Sequence, residues 1–166
     1  MKIRQINTAD AANFVQLVQQ VERESAYMLF EPGERNISVA QQCERISSLK
    51  QDGSSTIFLA ETTMQQLAGY LMAVGGNATR NKHSVYLIIG ILSEYRGLGI
   101  GAELFEYLEK WAISQRVHRL ELTVVTRNKA GLALYRKRGF VIEGTKKDSL
   151  LINGAYLDEY YMAKLL

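Results

Sequence analysis

The chain has very few of the residues that mark disulfide scaffolds, proline-rich linkers or metal sites. It contains one cysteine, Cys43, and one proline, Pro32, among 166 residues, so an internal disulfide and a proline-rich linker are both excluded. Its two histidines have no cysteine or acid at ligand spacing, which argues against a metal site. No apolar run approaches the roughly 20 residues that span a bilayer. We therefore expect a protein without metal or membrane partners, located in the cytoplasm.

The chain also lacks a large excess of positive or negative charge. The net charge is only +3, and no long basic block occurs, so nucleic-acid binding is not indicated. The nine tyrosines include several in the closing segment, where sheet packing explains them better than base stacking. A hydrophobic fraction of 47% is ordinary for a globular protein, and the length suits one domain over residues 1–166.

Hydrophobic patterns divide the chain into helices and strands typical of an α+β domain. Thr8 is predicted to cap a first helix, and Ser38 with Gln41 forms a capping box for a second that ends near Lys50. Asn153-Gly154 is a strong signal for a two-residue hairpin. The predicted strands are Lys2–Ile6, Thr56–Thr62, Leu67–Val74, Val85–Leu92, Arg119–Val125, Phe140–Glu143, Leu150–Ile152 and Tyr156–Leu165.

A glycine-rich junction follows the most apolar of these strands. It reads Arg96-Gly97-Leu98-Gly99-Ile100-Gly101, and an amphipathic helix begins within it. Glycine permits positive φ and close approach of a ligand to the backbone. The first turn of a helix also presents unpaired N–H groups and the positive end of its dipole. The junction is therefore predicted to bind phosphate groups.

Two common phosphate-binding loops do not match this junction. A Walker-type loop ends in Gly-Lys-Ser/Thr, whereas Ala102 and Glu103 follow Gly101 here. A dinucleotide-binding loop follows the first strand of a parallel unit and has an acidic residue about 20 positions on. In this chain several strands and hairpins precede the junction, so both alternatives fail.

The junction and a second motif resemble the Gcn5-related N-acetyltransferase (GNAT) superfamily. Residues 96–101 match its Arg/Gln-x-x-Gly-x-Gly/Ala signature, and residues 128–140 match its Asn…Leu-Tyr…Gly-Phe motif. The order of elements agrees over the whole chain. Ser93 replaces a common proline, and Gly131 replaces a common helix alanine. The resemblance implies an α+β fold with a mixed sheet of about seven strands, splayed between the fourth and fifth, and about four helices.

The resemblance also implies a site for acetyl-CoA. Backbone N–H groups around the glycines would hold the diphosphate, and the end of the fourth strand would pair with the pantetheine arm. An amide at Leu92 would point at the thioester oxygen and stabilise the oxyanion that develops there. The implied cosubstrate-binding residues are Ile91, Leu92, Arg96, Gly97, Leu98, Gly99, Ile100, Gly101, Asn128 and Tyr135.

Tyr135 occupies the position of the superfamily's catalytic tyrosine. A phenol with a pKa near 10 can donate a proton to the departing thiolate. Glu31 and Glu34 lie where relatives build the acceptor site, and we assign them to binding a cationic amine. Glu61 and Tyr86 are weaker candidates. The fourth strand contains no acid, so deprotonation through ordered water and an amine that arrives neutral both stay open.

Taken together, the motifs and the resemblance they carry imply direct acetyl transfer from acetyl-CoA to a primary amine. A polyamine, an amino acid, an antibiotic and a protein N-terminus all remain open as acceptors, and a homodimer is also left open. The alternative from another class is a non-catalytic acyl-CoA sensor on the same fold. Release of CoA in the presence of an amine would separate the enzyme from the sensor.

Overall fold

The computed structural model describes all 166 residues. The chain folds into one mixed sheet with helices on both faces. The strand order is β1-β2-β3-β4-β5-β7-β6. The predicted α+β class with a seven-stranded sheet and four α-helices is confirmed. The strands are β1 (Lys2–Gln5), β2 (Thr56–Glu61), β3 (Leu67–Gly75), β4 (Ser84–Ile91), β5 (Arg119–Val125), β6 (Val141–Ile152) and β7 (Ala155–Leu165). The helices are α1 (Ala11–Glu24), α2 (Val39–Asp52), α3 (Ile100–Ser114) and α4 (Lys129–Lys137).

Capping residues set where the first two helices begin. The Ser38–Gln41 capping box is confirmed at α2. Ahead of α1, the cap is Asn7 and not Thr8, because a short 3-10 turn precedes the α-helix. The Asn7 side chain accepts from Ala9 N–H at 2.9 Å, and the Asp10 carboxylate accepts from Asn7 N–H at 2.8 Å. This reciprocal pair satisfies two N–H groups that a helix start leaves free.

The last two strands form the predicted hairpin. Asn153 and Gly154 both have positive φ, 50° and 76°, as a two-residue turn of this handedness requires. The two short strands predicted before the turn are one strand, β6, with an irregularity between residues 146 and 150. Within it, Asp148 has φ 47°, and its N–H donates to Asp158 at 2.9 Å. A bulge of this kind breaks the alternating pattern without ending the strand, which is why the sequence indicated two strands.

Two hydrophobic clusters lie on opposite faces of the sheet. The larger contains 21 buried residues and joins α3 and α4 to one face, whereas the smaller has 10 and joins α1 and α2 to the other. Gly90 lets α1 approach closely, because a Cβ there would lie 2.7 Å from both Tyr70 and Val21. None of the helices combines the length and apolar character needed to cross a lipid bilayer.

The sheet opens between β4 and β5. These strands are parallel and paired only at Ser84–Arg119, Val85–Leu120 and Tyr86–Glu121. Beyond that point β4 continues to Ile91 with its edge facing β5 unpaired. The predicted splay between the fourth and fifth strands is therefore confirmed. It leaves two strand edges facing each other inside the molecule, next to the segment that joins α1 to α2.

Candidate functional site

A turn rich in unpaired amides connects β4 to α3. Gly97 and Gly99 have φ of 77° and 85°, and no atom lies within 4 Å of where a Cβ would stand on either. No backbone N–H from Gly97 through Ala102 has an acceptor within the chain. Gly97, Leu98 and Gly99 are exposed, and the unpaired donors adjoin the positive end of α3, so the turn is suited to binding an anionic group.

Gly101 differs from the other two glycines. It is buried in the first turn of α3, and a Cβ there would lie 2.8 Å from Leu134 Cδ2 on α4. Its missing side chain therefore serves close packing of α3 against α4, while its N–H belongs to the unpaired set. Of the two residues between the glycines, Ile100 is buried and Leu98 is 65% exposed.

The end of β4 presents Ile91 to the splay and turns Leu92 away from it. Leu92 N–H donates to Ala68 O at 3.0 Å, toward β3. Because neighbouring residues of a strand direct their backbone groups to opposite sides, Ile91 directs its own toward β5. The Leu92 amide is thus already bonded, and its predicted role as the oxyanion donor does not fit this geometry. The direction of this amide depends on the pairing register between β3 and β4, which the sequence does not reveal.

Arg96 and Glu24 link the strand end to α1. Arg96 Nε donates to Ile91 O at 3.0 Å. Ser93 N–H, which the common proline would lack, donates to Glu24 Oε2 at 2.6 Å. Hydrogen bonds from Gln20 and then from Ser93 hold the pKa of the Glu24 carboxyl below its usual value. These bonds fix the end of β4 against the last turn of α1.

A cavity of about 230 Å³ fills the space between the splayed strands. Its walls come from β4, β5, α4, the β6–β7 hairpin and the segment between α1 and α2. Asn128 and Tyr135 lie in the wall, as do Tyr86 and Thr123, whose hydroxyl oxygens are 2.7 Å apart. The remaining lining residues are Ser25, Tyr27, Met28, Leu29, Phe30, Arg35, Leu87, Ile88, Ile89, Val124, Val125, Leu150 and Glu159.

Tyr135 projects from α4 into the core and reaches the cavity wall. The residue is 8% exposed, and its ring makes an edge contact with Phe105 at 5.9 Å between centroids. Burial, with a smaller contribution from Tyr86, raises the pKa of Tyr135 above its usual value. The phenol therefore keeps its proton at neutral and moderately alkaline pH.

Asn128 is the N-cap of α4. Its Oδ1 accepts from Gly131 N–H at 3.0 Å. A Cβ at Gly131 would lie 2.8 Å from Asn128 Nδ2, so the glycine makes room for this capping amide. The departure from the common alanine thus has a local structural reason.

The predicted acceptor-binding acids lie outside the cavity. Glu31 and Glu34 are exposed, and Glu34 Oε2 accepts from Glu31 N–H at 2.9 Å. Glu31 lines a neighbouring space of about 360 Å³ beside the β6–β7 hairpin. Glu61 forms an ion pair with Arg4 at the other end of the sheet. Among the weaker candidates, only Tyr86 lies in the wall of the cavity.

The structure brings two charged residues into the cavity that sequence reasoning missed. Arg35 lies in the segment between α1 and α2, where no pattern identified it. Glu159 on β7 is 9% exposed, and Ser149 Oγ donates to its carboxylate. A signal for it existed, since Leu157 two residues earlier also faces inward and strand side chains alternate.

Arg35 is held by a buried acid. Its Nε lies 2.8 Å from Oε1 of Glu22, which is 1% exposed. Neither this Nε nor either Glu22 oxygen makes a well-aligned hydrogen bond. Burial raises the pKa of the Glu22 carboxyl, with Arg35 opposing the shift. The Arg35 guanidinium also stacks over the Phe30 ring, 4.1 Å from its centroid.

Comparisons with known proteins agree on one family. Residues 17–140 match the model of the acetyltransferase (GNAT) family. The L-amino acid N-acetyltransferase AaaT of Escherichia coli (strain K12) is 35% identical over 103 residues, covering 60% of this chain and 62% of that protein. The chain thus spans under two thirds of that relative.

Two solved structures match over nearly the whole chain. An acetyltransferase of the GNAT family from Streptococcus pneumoniae has a TM-score of 0.95 at 29% identity, covering 99% of both chains. A ribosomal-protein-alanine N-acetyltransferase from Brucella melitensis has a TM-score of 0.86 at 27% identity, covering 100% of both chains.

Proposed function

The chain belongs to the acetyltransferase (GNAT) family, and from this premise we propose that it transfers an acetyl group from acetyl-CoA directly to a primary amine. The observation that carries the proposal is the junction of the amide-rich turn with the splayed cavity. The turn suits the diphosphate of the cosubstrate, and the cavity beside it suits the acceptor. An acetyl-CoA-dependent reaction also fits the cytoplasmic location predicted from the sequence.

The turn fits the diphosphate by the character of its donors. Backbone N–H groups from Gly97 through Ala102 have no acceptor in the chain, and the two positive-φ glycines leave the space above them clear. We assign diphosphate binding to these amides together with the dipole of α3. Arg96 acts differently, since it holds Ile91 O and thereby shapes the strand end.

The splayed edge of β4 fits the arm that carries the thioester. Bound acetyl-CoA supplies an activated acyl group and a thiolate that can leave. Backbone groups of Ile89 and Ile91 face this edge and have no strand to pair with. We assign hydrogen bonding to the arm and polarisation of the acyl oxygen to these residues, in place of Leu92. Asn128 borders the same space from the start of α4.

Tyr135 donates a hydrogen bond to the departing sulfur. A thiol has a pKa of about 8.5, below that of the buried phenol, so complete transfer of the proton to the thiolate is uphill. The main contribution of Tyr135 is therefore a hydrogen bond that strengthens as negative charge develops on sulfur. Its raised pKa serves this role, because the hydroxyl stays protonated throughout the working pH range.

The acceptor is proposed to be a small primary amine or a protein N-terminus. The similar proteins are named for an L-amino acid and for the alanine of a ribosomal protein. Both names describe an amine on an α-carbon. We place the acceptor in the cavity between the splayed strands, and the exposed acids Glu31 and Glu34 lie outside it.

A panel of amines tests the activity. Free CoA is followed with a thiol reagent while purified protein is incubated with acetyl-CoA and L-amino acids, alanine-terminated peptides, polyamines or aminoglycosides. We expect CoA release above spontaneous hydrolysis with at least one class. Binding of acetyl-CoA without release for any amine would instead support the non-catalytic sensor.

A matched pair of variants tests the diphosphate site. Gly99→Asn and Gly99→Asp place side chains of equal size in open space, and both residues tolerate positive φ. Only aspartate adds a negative charge beside the diphosphate. We expect Gly99→Asp to weaken acetyl-CoA binding at least tenfold relative to Gly99→Asn. Equal affinities for the two variants would remove the turn from the cosubstrate site.

A further inference from the structure

One basic and one acidic side chain line the cavity between β4 and β5. They are Arg35 and Glu159, and the other lining residues are uncharged and mostly apolar. Resting on the proposed function, we propose that this cavity binds a free α-amino acid with an apolar side chain. Arg35 binds its carboxylate, and Glu159 binds its ammonium group.

The setting of Arg35 favours a carboxylate ligand. Its Nε edge lies against Glu22, and its face lies over Phe30, so the guanidinium is held in one orientation. The structure records no hydrogen bond from its terminal nitrogens, which are the fork that binds a carboxylate in two places. Glu22 therefore acts as a positioning residue, and Arg35 supplies the contact.

The setting of Glu159 favours a cationic group. The residue is 9% exposed, and Ser149 Oγ holds its carboxylate in place. No positively charged side chain forms an ion pair with Glu159 within the chain, in contrast to Asp158, which Lys147 approaches to 2.8 Å. A buried carboxylate without a cationic partner is costly, and an ammonium ligand would offset that cost.

Size and wall chemistry complete the match. The cavity has a volume of about 230 Å³, and the end of the cosubstrate arm shares it, so the remaining space suits one amino acid better than a folded peptide. Met28, Leu150 and Val124 are among the apolar residues around it. An apolar amino acid side chain would be buried there, whereas a polyamine would bring a second cation with no acid to pair it.

Three ligands that differ by one group test the proposal. L-leucine carries both charges, leucinamide lacks the carboxylate, and isocaproate has the same carbon skeleton without the amine. Dissociation constants are measured by calorimetry on CoA-loaded protein at about pH 6.5, below the α-amino pKa of roughly 8. We expect leucine to bind at least tenfold more tightly than either analogue, as one charge-assisted hydrogen bond would provide.

Each variant should remove one of the two binding preferences, that for leucine over leucinamide or that for leucine over isocaproate. The double variant Glu22→Gln/Arg35→Gln leaves no unpaired buried acid, and it should abolish the preference for leucine over leucinamide only. Glu159→Gln keeps an acceptor for Ser149, and it should abolish the preference for leucine over isocaproate only. Arg45 and Glu106 are exposed and do not line the cavity. Glu106→Gln is the charge-matched control for Glu159→Gln, and Arg45→Gln/Glu106→Gln is the charge-matched control for the double variant. Both controls should retain both preferences.

Several results would overturn the proposal. These are equal binding of leucine and leucinamide by the unmodified protein, the same loss in both preferences for either variant, and equal binding of a leucine-terminated peptide and leucine. The comparison is independent of turnover. Absence of CoA release with every amine would refute the proposed acetyl transfer, whereas the binding pattern would still decide the amino acid site.

Discussion

Replacing Tyr135 by phenylalanine separates the chemical role of the hydroxyl from the packing role of the ring. The Tyr135 hydroxyl makes no hydrogen bond within the chain, and burial, with a smaller contribution from Tyr86, raises its pKa. The ring contacts with Phe105 and Phe140, at 5.9 and 6.1 Å between centroids, remain in the variant. We therefore expect a stability change within about 0.5 kcal/mol, or roughly 2 °C in Tm.

The effect on turnover should be much larger. Proton donation by a positioned side chain contributes roughly 10²- to 10⁴-fold, and at about 1.4 kcal/mol per tenfold this corresponds to some 3 to 5 kcal/mol of transition-state stabilisation. We expect Tyr135→Phe to lower kcat by at least 100-fold while the Kd for acetyl-CoA changes less than threefold. Because the pKa of Tyr135 is raised, its ionisation should add no alkaline decline in kcat below pH 10.

The assay compares initial rates of CoA release with thermal unfolding of the same preparations. Tyr107→Phe is the matched control, since Tyr107 lies on the outer side of α3 and is 44% exposed. It should retain full activity. A Tyr135→Phe protein with kcat within twofold of the parent and an unchanged Tm would refute the role of Tyr135 as hydrogen-bond donor to the departing sulfur.

Three further substitutions test other contacts. Gly131→Ala would gain about 1 kcal/mol of helix propensity, yet its Cβ would lie 2.8 Å from Asn128 Nδ2. We therefore expect no net rise in Tm and weaker binding of acetyl-CoA. A rise in Tm of about 3 °C or more would contradict this expectation. Gly90→Ala would place Cβ 2.7 Å from the buried Tyr70 ring, and chemical denaturation should show a loss of about 1 to 3 kcal/mol; an unchanged midpoint would show that α1 can move. Asp10→Asn removes a carboxylate whose pKa is lowered mainly by its hydrogen bond with Arg4, so the carboxylate stabilises the fold above about pH 4 and this effect is lost on acidification. The difference in Tm between variant and parent should therefore shrink between pH 7 and pH 3. A constant difference would exclude the charge as its cause.

Local signals in the sequence predicted much of the fold. The capping box at Ser38 and the turn at Asn153-Gly154 depend on neighbours a few positions away, and both are confirmed. The direction of the Leu92 amide was not predictable, because it depends on the register between β3 and β4. A one-residue shift in that register would have turned the amide toward the splay.

The proposed acceptor site was harder to predict than the proposed cosubstrate site. The glycine turn is contiguous in sequence, whereas the cavity combines Arg35 from a loop with Glu159 from the last strand, 124 positions apart. Glu31 and Glu34 were predicted to bind the amine only because they lie in the segment where relatives build the acceptor site. Direction of side chains along an irregular loop has no periodic signal, so only the structure shows that Arg35 faces the cavity and the two acids do not.

The splay has a consequence for aggregation. Exposed strand edges are where foreign chains add to a sheet, and most proteins protect such edges at the rim. This protein has two of them at the centre of its sheet, where β4 and β5 separate, and the segment 25–37 lies over them with Tyr27, Met28 and Phe30 in the cavity wall. That segment therefore covers the strand edges in addition to lining the cavity. Cleaving or deleting it would open a central edge to pairing with another molecule, and the expected result is self-association of an otherwise folded protein.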